Sequence, residues 1–340
     1  MVEMIDLTKV DYRLTLLPPS GSKIDITDLM QSAILEEMEG QVAAKLAVNI
    51  KNIKRDDGWI HQHAYLAKRM VLEATDGNGW KEVFRGSSFV WKTTSEDHTV
   101  DFIAYDPNYR LVTSKEHYYF KTGMTGAGSV KVIAGEWGIP LGKIDGPNVS
   151  LIKKMYRGYL SDTIKERFKE SSEKGDSGYI VRSTLGKLDV VKEGMNSTVY
   201  ELTDATTEGS SDEHSIDSGF VTRVKIYGNE AKEARPKVES VISGRTELGI
   251  MQEILYKSDF DNAGAAKAAG NAILKEKGKP EISRPLNHPD IPWIRKGDKV
   301  SVASGTIGSM KDGVQVGINC IVKSVTHDIV AKRMRLQLKG

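Results

Sequence analysis

His61 and His63 straddle Gln62, a spacing that puts two rings on the same side of a strand and could supply two ligands to a metal ion. A third ligand would have to be brought in by the fold, since Cys320 is the only cysteine and no Asp or Glu stands at ligand spacing on the far side. Exposed strand or loop histidines are the simpler reading. His98, His117, His214, His288 and His327 are scattered, and none sits in H-E-x-x-H or beside a Ser or Cys in a nucleophile motif, so no triad emerges. The carboxylate pairs Glu36-Glu37, Asp56-Asp57 and Asp212-Glu213 could in principle serve glycoside hydrolysis, where two acids face each other about 5 to 9 Å apart. Adjacent acids on a strand point to opposite faces, however, and these pairs read as solvated polar turns or loops. The glycines of Gly123, Gly126 and Gly128 precede a helical pattern and could cradle a phosphate on backbone N–H groups. But Ser129-Val130 follow where a P-loop needs G-K-[ST], and no βαβ continuation appears, so a plain helix entry is expected. Tyr118, Tyr119 and Phe120 could stack bases, yet they lack interleaved basic neighbours and read as a core strand. The expectation is therefore no catalytic, cofactor-binding or metal-binding residue.

The elements that would position any site must come from 340 residues, enough for at least two hydrophobic cores. The chain is 39% hydrophobic and 28% charged, as in ordinary globular proteins. With 48 Lys and Arg against 46 Asp and Glu, the net charge of +2 disfavours a nucleic-acid or membrane-surface protein. The single cysteine excludes a disulfide framework or a multi-Cys metal centre within one chain. Glu3 and Asp6 stand where a secretory signal would need a basic start and an apolar core, and the apolar stretch 42–50 is broken by Lys45 and Asn49. Neither an export signal nor a membrane span is expected.

Gly is abundant, 32 residues against 10 Pro, which points to turns between short strands. Tyr12 to Leu17 alternates and ends at Pro18-Pro19-Ser20-Gly21. In the next stretch Met30, Ile34, Met38 and Val42 lie four apart as on a helix, while Leu46, Val48 and Ile50 alternate as on a strand, so its middle is left open. Met70 to Ala74 and Val83 to Trp91 flank Asp76-Gly77-Asn78-Gly79 as a hairpin, and Thr99 to Tyr105 alternates again. Helical faces follow at Val130, Ile133, Ala134 and Trp137, and at Leu160, Ile164 and Phe168. A hairpin is expected about Thr184-Leu185-Gly186. The polar stretch Thr203 to Ser218 reads as a loop and Val221 to Tyr227 as a strand. Asp261 and Asn262 can cap an alanine-rich helix through Lys277, with a surface smooth enough for a sheet to approach closely. Lys299 to Ala303, Asn319 to Val325 and Arg333 to Leu338 complete the set.

The two β-rich ends share a layout: a short strand, a Gly-rich turn, a longer strand and a closing strand. If this is a duplication, one chain carries two copies of one barrel or sandwich unit. The expected fold class is α+β, mainly β, with β-rich domains at 1–117 and 196–340, the latter holding the helix 262–277, and an α+β insertion at 118–195.

Several segments carry a resemblance. Ala104-Tyr105-Asp106-Pro107, Tyr118-Tyr119-Phe120, Trp137-Gly138-Ile139-Pro140, Val221-Thr222-Arg223-Val224-Lys225-Ile226-Tyr227-Gly228 and Asp290-Ile291-Pro292-Trp293-Ile294-Arg295-Lys296-Gly297-Asp298 occur in order over nearly the whole chain. Together they resemble the XkdQ/YqbQ-type proteins of contractile phage tails and tail-like bacteriocins, which are similar to the central baseplate hub. The resemblance implies a homotrimer whose chains each contribute two tube-like antiparallel β-domains, six units in a ring, joining a six-fold tail tube to a three-fold spike. It implies tail tube, spike and baseplate wedge proteins as partners, with no membrane and no specific nucleic acid. It places the chain in the baseplate of a virion or tail-like particle made in the bacterial cytoplasm. It carries over no catalytic residue, so the chain is not expected to be an enzyme. The alternative reading is a cell-wall-active tail component, binding or hydrolysing peptidoglycan, prompted by the carboxylate pairs and the Gly123–Gly128 loop.

Overall fold

Period-two alternation in residues 69–105 becomes an antiparallel meander of strands Arg69–Thr75, Lys81–Thr94 and Thr99–Tyr105, with Met70, Leu72, Phe84 and Phe102 pointing to one buried side. A computed structural model describes all residues except 1, 4, 18–22, 56–57, 204, 217–218, 229–235, 261, 305–306, 312–313 and 340. The expected turn at 18–21, the acids Asp56 and Asp57, and Asp261 lie outside the described residues.

Strand Asp11–Leu17 flanks this meander on one side. Strands Lys45–Lys51 and Met30–Glu37 flank it on the other. The stretch left open is thus a strand from Met30 to Glu37 followed by a turn through 38–44, with no helix. A spacing of four fits a helix face and a strand face alike; here Ala33, Leu35 and Glu37 are the buried positions with Ile34 on the opposite side, while Met30, across a bulge, packs on the buried side opposite Ile50.

Strands Lys299–Ala303, Ile318–Asp328 and Arg333–Lys339 repeat the meander. The repetition extends to details. Thr94 pairs with Thr99 and Asp328 with Arg333, so each hairpin closes over four residues, 95–98 and 329–332. The last of those four has positive φ in both, His98 at 47° and Lys332 at 53°. Each long strand also carries a bulge at the same place. Ile103 faces Val90 and Ala104 faces Ser88, leaving Phe89 extra; Gln337 faces Ser324 and Leu338 faces Val322, leaving Lys323 extra.

The halves join edge to edge: residues 325–328 pair with 37–34, making one 15-stranded sheet. Two apolar clusters lie against it, one built around Leu14, Leu46, Leu72 and Phe102, the other around Leu286, Val300, Val322 and Leu336.

A third cluster, including Phe120, Ile133, Ile164 and Val190, fills the region between. It lies under helices Gly126–Glu136 and Leu160–Glu173, the ribbon Lys115–Phe120/Lys154–Tyr159, and the hairpin Tyr179–Thr184/Lys187–Lys192. The fully buried Arg167 is satisfied there by Ser129 Oγ at 3.0 Å, Met124 O at 2.6 Å and Glu170 at 3.3 Å. The boundary expected at 117 falls inside strand Lys115–Phe120, whose Tyr118 and Phe120 belong to this third cluster.

One expectation is corrected. The polar stretch 203–218 is not all loop: Gly209–Ser210 and Glu213–Ser215 pair with Glu281–Pro289, and their polar composition suits the outermost strand of a sheet. The alanine-rich helix, Ala263–Lys277, packs on a separate sheet of strands Arg223–Tyr227, Val238–Ser243 and Gln252–Tyr256 rather than on the repeated meander. Asn262 Oδ1 caps it by accepting from Ala265 N at 2.9 Å. Close approach is needed at Gly270, where a Cβ would lie 2.7 Å from Ile242 Cδ1 and 3.3 Å from Val224 Cγ1. Gly270→Leu is expected to cost about 1–3 kcal/mol by overpacking, measured as a lowered urea midpoint with unchanged secondary structure.

Candidate functional site

Among the described residues, those that first suggested chemistry do not converge on one site, and most are engaged locally. His61 and His63 sit on a short helical turn, Ile60–His63, not on a strand, and His61 is bonded to Asn52. No group of three or more metal-ligating side chains forms among the described residues. At the glycine loop, Gly128 N donates to Thr125 Oγ1 at 3.0 Å and Ala127 N to Pro147 O at 2.9 Å, so the donors a phosphate would need are taken within the chain. Glu36 and Glu37 end a strand instead of lying in a turn. Glu36 pairs outward with Lys45 at 3.0 Å and Glu37 points inward. Asp212 is held by Arg284 at 2.9 Å, beside Glu213 on the outer strand. Tyr118 and Phe120 are core residues, and Tyr119 is exposed.

What the fold does bring together is a buried polar junction, closed by residues 290–298. Asp290 enters the seam between the two halves, where one carboxylate oxygen accepts from the Tyr12 hydroxyl and the other from His327 Nδ1 at 2.6 Å. His327 Nε2 donates to Ile294 O at 3.1 Å. Both ring nitrogens face acceptors, an arrangement that favours the doubly protonated, positively charged ring. Burial opposes that charge, but Asp290 and the more distant Glu37 raise the imidazole above its ordinary value. Burial and the neighbouring Asp290 together push the Tyr12 hydroxyl well above its usual range.

Five residues on, Arg295 reaches the first half and the insertion at once. Its Nε donates to Glu37 Oε1 at 2.8 Å and Nη2 meets the same oxygen, while Nη1 donates to Thr184 Oγ1 at 3.0 Å and Nη2 to Ser183 O at 2.8 Å. Lys296 N donates to Glu37 Oε2 at 3.2 Å, and its ammonium reaches Gln41 O. Asp298 accepts from Arg182 Nη1 at 2.8 Å and from Arg295 N at 3.0 Å. Burial alone would raise the Glu37 carboxyl, but Arg295, Lys296 and Arg182 hold it below the usual carboxylate range. Asp106 lies nearby, its carboxylate accepting from Ala44 N at 2.8 Å and Asn108 N at 2.9 Å; burial pushes it up to about 7 against those bonds.

Trp293 packs against both β clusters and donates to Asp76 Oδ2 at 3.3 Å. One of the segments that carry the sequence resemblance, 290–298, is therefore the one that locks the parts together. The cavity beside Lys296, about 120 Å³, is smaller than the roughly 300 Å³ of a small-molecule site. The junction positions and fixes: its charged side chains are engaged with one another and with the backbone.

The family described as YqbQ-like matches residues 38–339. The chain belongs to the YqbQ-like family. The uncharacterized YqbQ of Bacillus subtilis strain 168 is 23% identical over 247 residues, covering 68% of this chain and 71% of that one. Two solved structures share the fold over nearly the full length. The 43 kDa tail protein of prophage MuSo2 from Shewanella oneidensis is 11% identical, with 96% of this chain and 98% of that one covered and a TM-score of 0.65. The tail protein from Neisseria meningitidis MC58 is 13% identical, with 97% of each covered and a TM-score of 0.67. The YqbQ-like chain thus has the fold of phage tail proteins, mainly β. Among its described residues no helix is long and apolar enough to cross a membrane.

Proposed function

We propose that this YqbQ-like chain is the structural hub of a contractile phage tail or tail-like bacteriocin baseplate, a trimeric adaptor between the six-fold tail tube and the three-fold spike. The observation that carries the reading is the doubled meander, alike in pairing, turn length, positive-φ position and bulge. Three chains with two such units each offer six similar surfaces on one ring. In this reading 1–117 and 196–340 are the tube-like domains, 118–195 is an insertion between them, and the chain works by packing rather than by chemistry. Its partners are further copies of itself, the tail tube protein, and the spike and wedge proteins of the baseplate. The fold shared with phage tail proteins supports a place in the tail.

Light scattering on purified protein, alone and with tube or spike protein, tests it. The expected species is three chains of 37.5 kDa, about 113 kDa. A chain that stays monomeric in all of these mixtures and binds neither partner overturns the proposal.

A further inference from the structure

The second half contains a junction whose counterpart in the first half is open. One side of strand Ile318–Asp328 is paired through 321–328 with Arg333–Lys339. On the other side, residues 318–321 pair with Lys299–Ala303 and residues 325–328 with strand Met30–Glu37. The equivalent strand, Lys81–Thr94, is paired with Thr99–Tyr105 on one side and through 81–87 with Arg69–Thr75 on the other. Among the described residues no strand pairs with 91–94 on that second side. Because the hairpins match residue for residue, 91–94 is the counterpart of 325–328.

The same equivalence names the segment that fits. Strand Lys45–Lys51 lies beside Thr99–Tyr105 as Glu281–Pro289 lies beside Arg333–Lys339, with Asn49 facing Asp101 and Asn287 facing Arg335. Ser32 then faces Asn49 as Gly209 faces Asn287, which makes 211–214 the counterpart of 34–37. Strands Gly209–Ser210 and Glu213–Ser215 pair only with Glu281–Pro289 among the described residues, so their outer side is open.

We propose that residues 211–214 of one copy add, antiparallel, to residues 91–94 of the next, copying between chains the pairing of 34–37 with 325–328 within the chain. The proposal rests on the ring suggested above, since a contact between unlike surfaces closes only through rotation about a ring axis. The side chains are complementary at the transferred register. Within the chain Thr326 faces Glu36; between chains Lys92 faces Glu213, opposite charges that are both exposed in the single chain. Within the chain the bulge residue Lys323 forms an ion pair with Glu39 at 3.0 Å. The counterparts are Phe89 and Ile216, 48% and 41% exposed, an apolar pair in place of a charged one. The added strand also covers an edge that would otherwise invite indiscriminate pairing.

Full-length Lys92→Cys and Glu213→Cys chains, treated with a short bis-maleimide, provide the test. Both positions are exposed, so folding is retained, and Cys320 is buried and stays silent. Co-expressed Lys92→Cys and Glu213→Cys chains are expected to give a cross-linked pair, the double variant a covalent trimer, and either single variant alone no product. Separately, Lys92→Glu should weaken assembly at least about tenfold, and adding Glu213→Lys should restore it. A trimer by native mass that gives neither cross-link nor rescue overturns the edge assignment and leaves the ring standing. Protein that is monomeric at every concentration tested, with and without partners, overturns both.

Discussion

Arg295→Ala is expected to cost about 3–5 kcal/mol, because it leaves the buried Glu37 carboxylate without the guanidinium that donates twice to its Oε1. Ser183 O and Thr184 Oγ1 lose their donor in the same step. Thermal unfolding should begin lower by roughly 6 to 20 °C, read by calorimetry at neutral pH. The companion variant Glu37→Leu/Arg295→Met removes both charges and should recover most of the loss, since replacing a whole buried pair by apolar groups is often neutral. If the double variant is no better than Arg295→Ala, the damage comes from lost packing against the insertion and not from the stranded charge.

Asp290→Ala has an expected cost of similar size, about 3–5 kcal/mol, for it strands the Tyr12 hydroxyl and the His327 imidazolium together. A pH dependence accompanies it. The folded His327 value lies above its ordinary one, so its contribution is complete below about 6.5 and is lost as pH rises through the folded value. Asp106 acts in the same direction: raised from 3.8 to about 7, it keeps its proton in the folded state, and the stability it lends falls as pH climbs through that interval. Glu37 acts oppositely, its contribution being present above 4.5 and lost as pH falls through its lowered value. The wild-type melting temperature should therefore decline from mildly acidic to alkaline pH. His327→Gln should flatten the upper part of that decline, and an unchanged slope in this variant would remove His327 from the account.

The strands of the two meanders were legible from alternation alone, because Met70, Leu72, Phe102, Val300 and Leu336 recur on one side of short, turn-bounded runs. Met30–Glu37 was not, since a four-residue spacing satisfies both periods. Residues 209–215 were not, because an outermost strand is polar and looks like a loop. The chemistry-like residues proved to be local and self-satisfied, as the Thr125 cap over the glycine loop illustrates. The junction escaped notice for a different reason. Its partners are remote in the chain, Glu37 from Arg295 by 258 residues and Tyr12 from Asp290 by 278. A signal was nonetheless present: Asp290 and Arg295 bracket the apolar Ile291 to Ile294. A charge at an address reserved for the core demands a partner elsewhere.

The edge-to-edge join also sets a clock. Strand Met30–Glu37 cannot receive its neighbour until residues 325–328 have been made, nearly three hundred residues later. At about 5–20 residues per second, a nascent chain waits on the order of 15 to 60 s with that hydrogen-bonding edge uncovered. For this interval the first half is a finished meander with one open flank, the form most apt to pair with a neighbour on the same message. Slowing translation, or ending it before residue 325, should therefore send the protein into aggregates rather than into a stable amino-terminal fragment, and the last few strands made decide whether the first ones stay soluble.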